Sequence, residues 1–315
     1  MFHTKIMSKI LICEENDDSL VRIKDFCELN NLYPLKMADV GSLEKVLSSH
    51  LDLGGVFLSE NFSQFDDVIQ QFHHVRAEVP IFVLRTCNEH LSSTLADGVS
   101  GEFTFDTLEE LKALIEETIF SMVYPEKLIT RMREISMSML ESQFKNTKIN
   151  CDLPYLVLDH MIFGKLLSII PIESDWCRGY MSLQAEKAPV NEMIKAGKTH
   201  ILMDEFDDGF RGVSSLVGEL TNLIWGGMKN EFFNTISNSS FRTQVPILIN
   251  HDLQHISFGS KCPQLCFRYE LQSENIPPIA IYQKFIFNLE WSPERFVESD
   301  EAEEELVESG GLELF

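Results

Sequence analysis

Val217-Gly218-Glu219-Leu220-Thr221-Asn222-Leu223-Ile224-Trp225-Gly226-Gly227 lies in a segment patterned as a buried helix. Apolar residues recur at Val213, Leu216, Val217, Leu220, Leu223, Ile224, Met228 and Phe232. That three-and-four spacing brings side chains onto one helical face. The opposite face carries Ser215, Glu219, Asn222 and Gly226, whose offsets stack them along one stripe. A carboxylate and a carboxamide then project about one turn apart, beside a bare patch of backbone. Glu219 can pair with a cation, and Asn222 can both donate to and accept from a water. The same pattern also suits a solvated face whose Glu and Asn have no task.

The chain has 315 residues, a length that favours about two domains, and its apolar fraction of 44% suffices for sizeable cores. Acidic residues outnumber basic ones by 49 to 26, for a net charge of -23. A nucleic-acid partner is not expected, because phosphate contact requires a basic surface. The acidic run from Glu298 to Glu308 reads as solvated, and residues 296–315 as an acidic disordered tail. Seven cysteines, odd in number and scattered, suit a reducing compartment rather than a disulfide framework. The first residues carry no apolar run with a cleavage site, and no stretch reaches eighteen apolar residues. The expectation is a cytoplasmic protein that neither enters nor spans a membrane.

Strand and helix patterns alternate through the first 120 or so residues. Ile10–Cys13, Gly54–Leu58, Pro80–Leu84 and Gly101–Phe105 read as strands. Helical patterns follow the first, through Leu20, Ile23, Phe26 and Cys27, and the last, through Leu108, Leu111, Leu114, Ile115 and Ile119. Such alternation predicts a parallel sheet covered on both faces, with functional residues at the carboxyl ends of its strands.

This portion resembles the receiver domain of two-component response regulators. The resemblance rests on Ile10-Leu11-Ile12-Cys13-Glu14-Glu15-Asn16, Val79-Pro80-Ile81-Phe82-Val83-Leu84 and Thr107-Leu108-Glu109-Glu110-Leu111, in receiver order and spacing. It implies a flavodoxin-like, doubly wound parallel sheet over residues 8–123. The family's active positions are mostly lost. Its acidic pair falls on Glu14 and Glu15, and its phosphorylated aspartate falls on Ser59, whose hydroxyl cannot form an acyl phosphate. Glu60 is adjacent, but neighbouring strand residues point to opposite faces. The switch Ser/Thr falls on Arg85, with Thr86 one place later, and no lysine follows the fifth strand near Phe103 or Thr104. The expected element is a pseudo-receiver that is not phosphorylated and serves dimerisation or docking. Glu14 and Glu15 retain enough charge to raise a weak magnesium site as an alternative.

Tyr124-Pro125 closes this domain, and residues 124–150 are predicted as a connecting helix through Leu128, Ile129, Met132, Ile135, Met139 and Leu140, with Pro125 at its first position. Residues 151–295 read as a mixed domain. Ile162–Ile172, Gly179–Ala185, Val245–Ile249, Ile256–Gly259, Cys266–Leu271 and Ala280–Phe285 are strand-like. Pro189–Lys195 begins a helix, and Gly212–Phe233 is the long helix with the polar stripe.

The second domain resembles the CheC/CheX chemotaxis phosphatases, and CheX more than CheC. Ser215, Glu219 and Asn222 match the signature of an acid or serine, three residues, Glu, two residues and Asn. The later proline of that signature is Pro246, one residue further along than usual. A single Glu/Asn pair matches CheX, since CheC-type proteins commonly carry two. The resemblance implies an α/β domain with helices on an antiparallel sheet and a homodimer formed through strand exchange. It also implies dephosphorylation of a separate, phosphorylated CheY-type receiver. Glu219 would pair with the receiver's lysine and Asn222 would aim a water at phosphorus, while Ser215, Gly226 and Pro246 would meet the partner. The chain would need no cofactor or metal of its own, because the receiver brings magnesium. The competing expectation is a non-catalytic signalling adaptor that docks receivers. A DNA-binding response regulator is disfavoured by the acidic balance and the lack of a basic recognition helix.

Other constellations carry less. Cys262 and Cys266 lack a second ligand pair, His251 and His255 lack a third ligand, and Asp204, Asp207 and Asp208 suggest calcium only through composition. His73 and His74 fall on a receiver-type helix, where a surface or dimer role is expected. The terminal Gly311–Phe315 reads as a mobile end.

Overall fold

The computed structural model describes residues 6–37, 41, 43, 46, 52–86, 98–158, 162–174, 176–200, 210–232, 245–250 and 262–295. Cys87, the Asp204, Asp207 and Asp208 group, His251, His255, the Ile256–Gly259 strand and the acidic tail from Glu298 lie outside them. The chain packs as two compact units. The first takes the described residues within Met1–Val123, Leu153–Ile162 and His255–Cys266, and the second those within Tyr124–Asp152, Phe163–Gln254 and Phe267–Phe315.

In the first unit, β1 (Ser8–Cys13), β2 (Leu32–Lys36), β3 (Leu53–Ser59), β4 (Ile81–Leu84) and β5 (Gly101–Phe103) form a sheet ordered β2-β1-β3-β4-β5. Its neighbouring strands all run parallel. This is the doubly wound order of flavodoxin-like folds. Helices α1 (Asp17–Leu29), α2 (Phe65–Val75) and α3 (Leu108–Thr118) supply its layers. Alternation along the strands sorts the core. Leu11, Cys13, Val56, Leu58, Ile81 and Val83 share one apolar cluster with Val68, Ile69 and Phe72 of α2. On the other side, Phe57 packs against Phe26 of α1, Phe82 and Phe103 with ring centroids 5.6 to 6.2 Å apart. A Cβ at Gly55 would touch Ile10, Phe82 and Ile119 at 3.2 to 3.4 Å, so that face is closely filled. Burying each such Leu, Ile or Phe contributes about 1.5–3 kcal/mol.

The sequence reading passed over β2, whose Leu-Tyr-Pro-Leu-Lys places Pro34 in mid-strand. An edge strand tolerates a proline because one side of it makes no ladder. β2 lies at the end of the strand order and pairs with β1. β5 ends at Phe103 rather than Phe105, because the Thr104 amide turns to donate to Thr107 Oγ1 at 2.9 Å. Asn16 caps α1, its side-chain oxygen accepting from the Ser19 amide at 2.9 Å. A short strand missed in the sequence, β7 (Tyr155–Val157), pairs antiparallel with residues 264–266.

In the second unit, β6 (Lys148–Cys151), β8 (Leu166–Glu173), β9 (Cys177–Ala185), β10 (Ile247–Asn250), the part of β11 (Gln264–Ser273) from Phe267 onward and β12 (Ile276–Trp291) take the order β10-β8-β9-β12-β11-β6. The registered pairs β10–β8, β8–β9, β9–β12 and β11–β6 are antiparallel. Helices α4 (Glu126–Gln143), α5 (Lys187–Lys195) and α6 (Phe210–Phe232) complete the unit. The sheet is antiparallel and the helices pack on it and on one another. Pro125 stands at the cap of α4 rather than at its first helical residue, with extended ψ of 132°. β6 escapes sequence reading because Lys148-Ile149-Asn150-Cys151 alternates over only four residues, too few for a period to stand out.

A buried polar knot ties α4 to the sheet. Gln283 Oε1 accepts from Ser136 at 3.0 Å and from Tyr269 at 2.7 Å, and its amide nitrogen faces Met181 Sδ at 3.4 Å. Ser136, Tyr269 and Gln283 are fully buried. Gln283→Leu should therefore destabilise the second unit by about 2–3 kcal/mol, because it strands two buried hydroxyl donors. Urea unfolding of the variant against wild type measures this, and an unchanged midpoint would show that the knot contributes nothing.

Candidate functional site

Helix α6 is buried on most of its circumference. Val213, Leu216, Val217, Leu220, Ile224, Met228 and Phe232 are at most 3% exposed, as their spacing predicts, while Leu223 is half-buried. Thr221 and Trp225, outside the predicted apolar stripe, are buried as well. The Thr221 hydroxyl lies 2.7 Å from the Val217 carbonyl and 2.7 Å from the Ser168 hydroxyl on β8. A polar residue is thereby accommodated between helix and sheet.

The exposed side chains of α6 among those described are Arg211, Ser215, Glu219, Asn222 and Asn230. At 3.6 residues per turn they fall within about 100° of arc, so the helix shows solvent a single polar stripe. Gly226 sits near the middle of that arc. Glu219 and Asn222, three residues apart, are neighbours on the helix surface at roughly 5–6 Å between Cβ atoms. The structure thus brings Ser215, Glu219, Asn222 and Gly226 together on one exposed line. Sequence reading missed Arg211 and Asn230 on that line. Arg211 could have been found, since it lies four residues before Ser215.

The three glycines of this region differ in what they face. A Cβ on Gly227 would meet Ile135 Cγ2 of α4 at 2.7 Å, so that glycine permits the α4–α6 contact. A Cβ on Gly218 would meet Leu248 Cδ1 of β10 at 3.3 Å. A Cβ on Gly226 would meet nothing within 4 Å. Intramolecular packing therefore explains Gly227 and leaves Gly226 open. Glycine in a helix costs about 1 kcal/mol relative to alanine. Gly226→Ala should raise stability by about 0.5–1 kcal/mol, and Gly227→Ala should lower it by about 1–3 kcal/mol through the clash with Ile135. Thermal unfolding of the two variants separates them, and a destabilised Gly226→Ala would remove the case for an open stripe.

Outside the stripe, Arg131 of α4 clamps α6. Its Nε and Nη2 donate to Glu231 Oε1 at 2.9 and 2.6 Å, and its Nη1 donates to Glu134 at 2.6 Å. Hydrogen bonds to the two carboxylates hold the guanidinium charged, with its pKa pushed above the ordinary value. Pro246 is half-buried and directly precedes β10, the end strand of the sheet. Val245, Ile247 and Leu248 around it are 68%, 60% and 39% exposed, an apolar edge next to the α6 residue that precedes Glu219.

In the first unit, Glu14, Glu15, Ser59 and Arg85 lie at or just past the carboxyl ends of β1, β3 and β4. Glu14 is buried, and its Oε1 accepts from the Asn16 amide at 2.8 Å. Exposed Glu15 accepts from the Ser63 amide at 3.2 Å, and hydrogen bonding from Ser63 holds its carboxyl below the ordinary value. Ser59 is buried, with the Asn61 amide 3.3 Å from its hydroxyl oxygen. A divalent cation needs about six oxygen ligands with carboxylates among them. Here Ser59 offers a hydroxyl, and Glu14 and Glu15 each accept from a backbone amide. Among the described residues no group of three His, Cys, Asp or Glu side chains is placed to hold a metal.

Arg85 is buried and engages two carboxylates. Its Nε donates to Glu60 at 2.7 Å and its Nη1 to Glu102 at 2.9 Å. Strand alternation was expected to aim Glu60 away from the site. β3 ends at Ser59, so Glu60 lies in the following turn and alternation does not govern it.

Among the described residues, no helix is long and apolar enough to cross a membrane. No family model matches the chain, and no curated protein matches it. Solved structures similar to it include the following. A CheC-like superfamily protein from Shewanella sp. PV-4 is 22% identical, covers 50% of this chain and 97% of its own, and has a TM-score of 0.36. The chemotaxis protein CheX from Desulfovibrio desulfuricans is 14% identical over the same shares, also at 0.36. A response regulator in red light signaling of R. palustris is 14% identical, covers 38% of this chain and 99% of its own, and has a TM-score of 0.32.

Proposed function

We propose that the second unit speeds hydrolysis of an aspartyl phosphate carried by a separate CheY-type receiver, in chemotaxis or a related two-component pathway. The observation that carries this reading is the α6 stripe. An otherwise buried helix exposes Glu219 and Asn222 together, beside an open glycine. In the reaction, water attacks phosphorus, the acyl oxygen–phosphorus bond breaks, and aspartate and inorganic phosphate leave. Phosphoryl transfer needs the attacking and leaving oxygens in line and its negative charge held by cations. The receiver would supply its magnesium and lysine. Asn222 then orients the water, an entropic contribution to the barrier. Glu219 pairs with the receiver's lysine. Ser215, Gly226 and Pro246 meet the partner, with Gly226 allowing its backbone to approach.

This division of labour requires no cofactor of the chain's own. The reading also includes a homodimer, supported by the apolar edge strand β10, and a soluble cytoplasmic setting. Edge strands with exposed apolar side chains readily pair with another chain.

The second reading is a receiver-docking adaptor without catalysis, and the altered active positions of the first unit favour it. Phosphate release separates the two. The catalytic reading expects the full chain to shorten the lifetime of a phosphorylated CheY-type receiver while leaving para-nitrophenyl phosphate untouched. The adaptor reading expects binding to the receiver with an unchanged phosphate lifetime.

A further inference from the structure

The carboxyl ends of β3, β4 and β5 meet around a single guanidinium. Arg85, 7% exposed at its side chain, donates from Nε to Glu60 Oε2 at 2.7 Å and from Nη1 to Glu102 Oε2 at 2.9 Å. The other oxygen of Glu60 accepts from both the backbone amide and the hydroxyl of Thr86. Asn61 Nδ2 donates to the same Thr86 hydroxyl oxygen at 3.4 Å. The backbone reinforces the arrangement, with the Glu60 amide donating to Leu84 O at 3.0 Å and the Arg85 amide to Phe103 O at 2.8 Å.

One carboxylate therefore collects a guanidinium, an amide N–H and a hydroxyl. Charge-assisted donors of this kind, aimed from fixed backbone, recognise oxyanions, phosphoryl groups foremost. They stand where doubly wound sheets bind their ligands, at the carboxyl ends of the strands. The anion they hold belongs to the chain itself. Next to it, the acceptor position is Ser59, which cannot carry an acyl phosphate.

We propose that Arg85 and Thr86 form an oxyanion site whose resident ligand is the Glu60 carboxylate. The first unit is thereby held in an anion-bound state without any phosphodonor. A phosphate-class oxyanion enters only when the Glu60 carboxylate is removed.

Hydrogen exchange at the Thr86 amide of the full chain tests this, with inorganic phosphate as the probe and potassium chloride at equal ionic strength as the control. In wild type the amide is protected and phosphate does not change its rate. In Glu60→Ala it exchanges on the order of 10-fold faster, and phosphate, but not chloride, restores protection. In the double variant Glu60→Ala/Arg85→Met phosphate restores nothing. A folding control is read in the same variant: in Glu60→Ala, Phe82 and Val83 of β4 keep wild-type exchange rates while Thr86 does not. The proposal is overturned if Thr86 in Glu60→Ala stays protected. Failure of phosphate to restore protection overturns it too, as does equal restoration by chloride or in the double variant.

Discussion

Asn222→Ala should cost the chain its effect on receiver phosphate, lowering the stimulated hydrolysis rate on the order of 100-fold. The reason is geometric. A carboxamide can hold a water through one donor and one acceptor, fixing its position and its lone-pair direction together. Alanine removes both contacts, and misplacing a reacting atom by about 1 Å is enough for a loss of this size. The loss should fall on kcat. Glu219→Gln, by contrast, weakens an ion pair across the interface and should raise KM first, since an amide still reaches the lysine but without charge. Neither change should disturb folding. Both side chains are exposed, and substitutions at such places usually move stability by less than about 0.5 kcal/mol. Single-turnover decay of a phosphorylated receiver, followed at several concentrations of each variant, separates the two effects. Equal kcat for wild type and Asn222→Ala would remove Asn222 from the reaction.

Arg85→Met should destabilise the first unit by about 3 kcal/mol. Removing one partner of a buried ion pair leaves the other charges desolvated and uncompensated. Here two carboxylates lose their cation at once. Glu60 is 14% exposed and Glu102 36%, so Glu102 regains water more readily and the loss sits at the lower end of the range for buried pairs. Arg85→Lys should recover only part of it, because an ammonium cannot span both carboxylates with a planar fork. Exchange rates of the slowest β3 and β4 amides report this unit separately from the other. Unchanged rates in Arg85→Met would mean that the strand ends are held by packing alone.

Much of the fold was legible because its signals are local. The apolar residues from Val213 to Phe232 predicted both the helix and its buried face. The strands Ile10–Cys13 and Pro80–Leu84 announced a covered parallel sheet. What stayed hidden was decided by tertiary partners. β2 carries a proline that only an edge position tolerates, and β6 and β7 are too short for periodicity to show. Trp225 and Thr221 are buried because α4, α5 and the sheet wrap α6 beyond the arc its spacing suggested. Glu219 and Asn222 were legible as a stripe, and the structure adds that the stripe is exposed and that Gly226, unlike Gly227, faces open space. The Glu60–Arg85–Thr86 arrangement was not legible. Alternation does not govern Glu60, since the strand has already ended, and nothing in the spacing of Arg85 announces two carboxylate partners.

The central claim is that an exposed Glu and Asn on a buried helix form the chain's contribution to a reaction completed by a partner. The most direct test is the half-life of the aspartyl phosphate on a CheY-type receiver, isolated after labelling and mixed with the full chain. The account predicts a shorter half-life with wild type, the unaided half-life with Asn222→Ala, and no hydrolysis of a small phosphoester by either. A half-life that wild type leaves unchanged, or that Asn222→Ala shortens as much as wild type does, would contradict it.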